Sequence, residues 1–208
     1  GDDGEGLKNL TAAGAIRAEA SHGAHIDAEV VAVAAAVAYA GSGGIALSGA
    51  GSEATSDVVS STTATVSGDP ADGKASLSSD GLTIRANDTA EIASDAAGAS
   101  LAASIGGSLN TEAPSIGVSL SSNTIRRDTT AELSGFASAL PGSAVLVSSS
   151  NDGTIRATSV AAAVSSAVAS TYMGIAAGGA TSTNTITGSN QALISGTQLG
   201  SSTKIGRA

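Results

Sequence analysis

The chain has 208 residues, with no cysteine or tryptophan, one phenylalanine, two tyrosines and a net charge of −9. This excludes disulfides and thiolate metal sites, argues against a nucleic-acid surface, and leaves a core of Ala, Val, Ile and Leu that has to be thin. Charged residues are only 13% and prolines three, yet branched aliphatics recur throughout, so the composition is not that of a disordered chain. The charge is unevenly spread. Residues 1–152 carry all eighteen acids and six basic residues, about −12, whereas 153–208 carry Arg156, Lys204 and Arg207 with no acid, +3.

In chain order, "GDDGEG" (1–6) gathers Asp2, Asp3 and Glu5 with glycine, and "SGDPADG" (67–73) does the same with Asp69 and Asp72. Carboxylates in glycine-containing turns are ligand types for a hard cation, so calcium stands open at both against plain solvated acids. Neither stretch fits the D-x-[DN]-x-[DN]-G spacing. In "SHGAHID" (21–27), His22 and His25 lie beside Asp27, a pairing that could hold a transition metal. Two histidines in a glycine-containing loop are more often plain surface residues, and no matching pair appears in the later units. The alanine-rich "AEVVAVAAAVAYA" (28–40) has helix propensity. Its period-two placing of Val31, Val33, Val37 and Tyr39, with alanines between, instead predicts a strand. A hairpin arm joining this run to "GIALSGAGSEA" (44–54) through Gly43-Gly44 is one arrangement it allows.

Three landmarks recur. The phrase around Ile16, Ile84 and Ile155 returns at spacings of 68 and 71, twice after Asp-Gly (Asp80-Gly81 and Asp152-Gly153), a turn pair. Next come apolar anchors eight residues apart: Val58 and Val66, Ile125 and Leu133, Ile186 and Ile194. Glycine pairs stand at Gly43-Gly44, Gly106-Gly107 and Gly178-Gly179. The opening phrase restarts at Ile205. The expected organisation is therefore one repetitive domain over 1–208, with units near 14–81, 82–152 and 153–202 and a restart at 203–208. It reads as a cut from a longer array.

The predicted class is all-β, a repetitive β-solenoid of parallel β-helix type with the alanine-rich hairpin arms as an option. A unit would hold about three coils of roughly 23 residues, nine coils in all, and a body on the order of 45 Å long. Asn123 and Asn184 match, with Asp57 as the first-unit equivalent, and either bond along a ladder or cap their own turns. Arg17, Arg85 and Arg156 also match, and read as solvated faces paired locally with Glu19 or Asp88.

The run "AAVAYAGSGGIALSGAGSEATSDVV", followed by "TATVS" and a new "DGLTIRA", resembles repeats of large secreted bacterial surface proteins, filamentous-haemagglutinin-like and adhesin-like. The resemblance implies an extended stalk, adhesin or filament segment at the cell surface, with no catalytic residues to carry over. No G-x-S-x-G elbow is present, and sugar-cleaving clefts ask for aromatics that are scarce here, so no enzyme and no cofactor are expected. The expected partners are neighbouring repeats or copies of the chain end to end, or alternatively a glycan or host surface. Neither nucleic-acid binding nor membrane insertion by this segment is expected.

Overall fold

The computed structural model describes residues 8–41, 44–69, 74–106, 111–142, 144–169, 171–200 and 204–206. They form strands and no helix: β1 (Asn9–Thr11), β2 (Ala15–Ala40), β3 (Gly44–Ile45), β4 (Ser48–Ser67), β5 (Ser76–Ser79), β6 (Gly81–Gly106), β7 (Thr111–Ser134), β8 (Ser138–Pro141), β9 (Ala144–Val168), β10 (Tyr172–Ser195) and β11 (Lys204–Gly206). A short sheet runs β1-β5-β8, a first long sheet β2-β6-β9-β11, and a second long sheet pairs β3 and β4 with β7, and β7 with β10. Every pairing is parallel. The chain crosses the short sheet, the first long sheet and the second in that order three times. Leu199, bridged to Ala139, and β11 open a fourth crossing.

The all-β, parallel expectation holds, and the alanine-rich run is strand to Ala40. The scale differs. The long strands have 20 to 26 residues, where about 3–10 is usual. Ile16 lies beside Leu82, 66 residues on, and Leu82 beside Val145, 63 further. A repeat is therefore a single crossing, and the body holds three crossings instead of nine coils. At about 3.3 Å per residue and 4.8 Å between strands, it is a plate roughly 80 Å wide and on the order of 15 Å deep. Alternation gives no signal to stop a strand, and Gly153, Gly178 and Gly179, read as turn markers, lie inside β9 and β10. Among the described residues no hairpin arm forms. The connection after β2 leads from one long sheet to the other, so β2 pairs with β6 and faces β4 across the core.

Inward side chains alternate with outward ones along each strand. Near the short sheet the core is large: Leu77, Leu82, Ile84, Leu133, Val145 and Phe136, the only phenylalanine, are all buried. Beyond a middle cluster of Val58, Ala90, Ile92 and Ile125, the inner faces shrink mostly to Ala, Ser and Gly. There the sheets close almost to backbone contact. A Cβ on Gly117 would stand 2.5 Å from the Ala162 carbonyl oxygen, and one on Gly98 would meet that of Val118. The large side chains of this thin half point outward instead, among them Val33, Val37 and Tyr39.

Candidate functional site

Two features of the plate hold its chemistry: a buried polar layer, and the open strand edges at its two ends. The polar layer follows from alternation. Ile84 and Ile92 point inward, so Asp88 between them does too. Ile125 and Leu133 point inward, and Arg127 goes with them. Both are buried, Asp88 at 0% exposure and Arg127 at 2%. Ser60 and Thr62 Oγ1 each donate to Asp88 Oδ2 at 2.8 Å. Arg127 Nη1 donates to Asp88 Oδ1 at 3.4 Å, to the Asp88 carbonyl at 3.3 Å and to the Asp152 carbonyl at 2.5 Å. His22, exposed at the plate's end, brings Nδ1 to 3.4 Å from Asp88 Oδ2. Burial pushes the Asp88 carboxyl up, but the hydrogen bonds from Thr62 and Ser60 and the charges of His22 and Arg127 outweigh it, holding the group below its ordinary value.

Glycine makes room for this pair. A Cβ on Gly153 would strike Arg127 Nη2, and one on Gly188, at φ +153°, would strike the Arg127 carbonyl. The ladder rows are Ser60–Arg127–Gly188 and His22–Asp88–Asn151, so one charge of each sign occupies the middle crossing, with His22 beside Asp88 on one side and Ser60, Gly188 and Asn151 at the other neighbouring places. Sequence reading passed over this pair, although the inward parity of the flanking isoleucines would have exposed it.

A second polar row runs along the ladder. Asn123 Nδ2 donates to Asn184 Oδ1 and to Ser121 Oγ, each at 2.9 Å. Both asparagines lie mid-strand and bond from crossing to crossing. The residue beside Asn123 in β4 is Ser56, not Asp57, because side chains of adjacent residues point to opposite faces. In the thin half, serines satisfy one another: Ser100 with Ser115 at 2.7 Å and Ser94 with Ser121 at 3.0 Å between the sheets, and Ser52 to Ser119 at 3.2 Å along the ladder of the second.

The anchor pairs fall in register, Val58–Ile125–Ile186 and Val66–Leu133–Ile194. The phrase isoleucines do not share one row. Ile16 joins Leu82, Val145 and Ile205; Ile84 joins Ala18 and Val147; Ile155 joins Ile26 and Ile92. Arg17, Arg85 and Arg156 consequently form no column. Arg17 pairs with Glu19 at 3.5 Å, and Arg85 lies beside Glu19 in the ladder. His22 and His25 belong to strand β2, not a loop, and point to opposite faces, His25 toward Glu91 at 3.7 Å, so they converge on no shared ion. Asp2, Asp3, Glu5 and Asp72 lie outside the described residues, and Asp69 is buried. Among the described residues no three acids or histidines gather as a metal site.

No family model, curated protein or solved structure matches the chain.

At the plate's ends, β2 has no partner on its outer edge among the described residues, and neither has β10. The far edge of β9 is paired only over Ala144–Leu146, by β11. β10 is exposed along nearly its whole length on both faces.

Proposed function

We propose that the chain is a structural module of an extracellular bacterial surface protein: a wide β-solenoid whose crossings stack into a rigid stalk or a filament. The observation that carries this reading is the length of the open edges, 24 residues along β10 and 26 along β2. Each presents a row of backbone donors and acceptors ready to take another strand. Three constant crossings, the Asn123–Asn184 bond along the ladder and the inward rows of small residues suit indefinite stacking better than a closed binding domain. A secreted, cell-surface setting is part of the proposal and rests on the resemblance to large surface-protein repeats.

The test is geometric. Tandem fusions of one, two and four copies should lengthen by about 15 Å per copy along one axis, at a constant width near 80 Å, in solution scattering. Growth in width with copy number would overturn the solenoid.

A second reading, an adhesin face for a glycan or host surface, has one observation in its favour. The outer face of the thin half exposes Val33 (75%), Val37 (74%) and Tyr39 (84%), an apolar patch of the kind that marks interaction sites. Saturable binding by a monodisperse chain would favour it over the stalk.

A further inference from the structure

We infer that a second copy of this chain docks head to tail, its β2 adding to the free edge of β9 and its β4 to the free edge of β10, in the register the ladders already follow. The inference rests on the reading of the chain as a stacking module and specifies its partner. In the first long sheet, Asp27 lies beside Ala93, and Ala93 beside Arg156. One further step of the same ladder sets the incoming Asp27 beside Arg156 on the outer face. On the inner face, Ile26 aligns with Ile92 and Ile155, while Val58 aligns with Ile125 and Ile186. The incoming Ile26 and Val58 then cover Ile186, which is 51% exposed although its neighbour Ile125 is at 0%. Ser56 of the incoming copy arrives beside Asn184, continuing the polar row.

Charge gives the docking its direction. β9 beyond Asp152 and all of β10 carry no acid, so the incoming Asp27, Glu29, Glu53 and Asp57 meet Arg156 or neutral residues: Glu29 lands beside Thr158, Glu53 beside Thr181 and Asp57 beside Thr185. Head-to-head contact would set the acids of two β2 strands against each other. Leu199 and β11 already hold the places that Leu10 and Ile16 of the incoming copy would take, so pairing starts at its Ala18, opposite Val147. The contact is heterologous and does not close on itself, so it propagates as a filament.

The experiment is sedimentation of the full chain over a range of concentrations, with negative-stain microscopy, on the wild type, Asp27→Arg and Arg156→Asp. Each single variant opposes like charges at every junction and should weaken association at least about tenfold. In a one-to-one mixture the two variants can alternate, which sets opposite charges at every junction and should recover assembly, as should the double variant. Both positions are exposed, so circular dichroism should be unchanged throughout. Single variants that assemble like the wild type would overturn the register. A wild type that stays a single plate near 80 Å wide at every concentration would overturn copy-to-copy docking and leave the module reading standing. Round particles would overturn both.

Discussion

At the scale of single residues, the Asp88–Arg127 pair decides most. A buried ion pair is weak evidence of net stability, because desolvation offsets much of the attraction, but removing one partner strands the other. Arg127→Ala should therefore cost about 3–5 kcal/mol in denaturant unfolding, and Asp88→Asn combined with Arg127→Met should cost less than Arg127→Ala alone. The pair also fixes a pH dependence. Asp88 is held below its ordinary value, so the folded state binds its proton less readily than the unfolded one. The stability this adds is fully present above about pH 4 and is lost as the pH falls through the folded value. The wild type should lose stability on acidification below about pH 4, and Asp88→Asn should flatten that part of the curve whatever it does to the plateau. A flat wild-type curve there would remove Asp88 from the account.

At the scale of elements, the two halves of each long strand are built on different rules. Near the short sheet, large aliphatics and Phe136 hold the sheets apart. In the far half, inward Ala, Ser and Gly bring them together, and the large residues face out. Gly117→Val should force the sheets apart against the Ala162 backbone, costing about 1–3 kcal/mol. The loss should appear as faster amide exchange in β7 and β9 of the thin half, with the Phe136 end unchanged. Uniform acceleration along the strands would mean the halves unfold as one unit. Strand character was legible from alternation, and the anchors at Val58, Ile125 and Ile186 gave the true register of the second sheet. The first sheet was misread at the phrase isoleucines: Ile155 pairs with Ile92, eight residues beyond the expected Ile84. A parallel ladder satisfies every backbone group at any register, and small, two-sided strands discriminate weakly among registers.

At the scale of the whole molecule, only three strands deep, the plate has two edge strands for each interior one in its long sheets. Its ends therefore govern its behaviour more than its core does. If stacking is head to tail, assembly should weaken as salt rises and screens the contact between Asp27 and Arg156. Filaments that thicken in salt would point to the exposed apolar half of the outer face, whose association is apolar and strengthens with excluded salts.

The sequence by itself determined the class of structure and its economy. Scarce aromatics required a thin core, period-two alternation required strands, and recurring anchors required that those strands repeat. It also carried the inward parity that buries Asp88 and Arg127. The tertiary structure alone decided how far each strand runs and which repeat residues meet. It decided, too, that Gly153 makes room for Arg127 and does not turn the chain. The physical reason is that a glycine's role depends on what approaches it, and in this plate the approach comes from side chains and carbonyls tens of residues away.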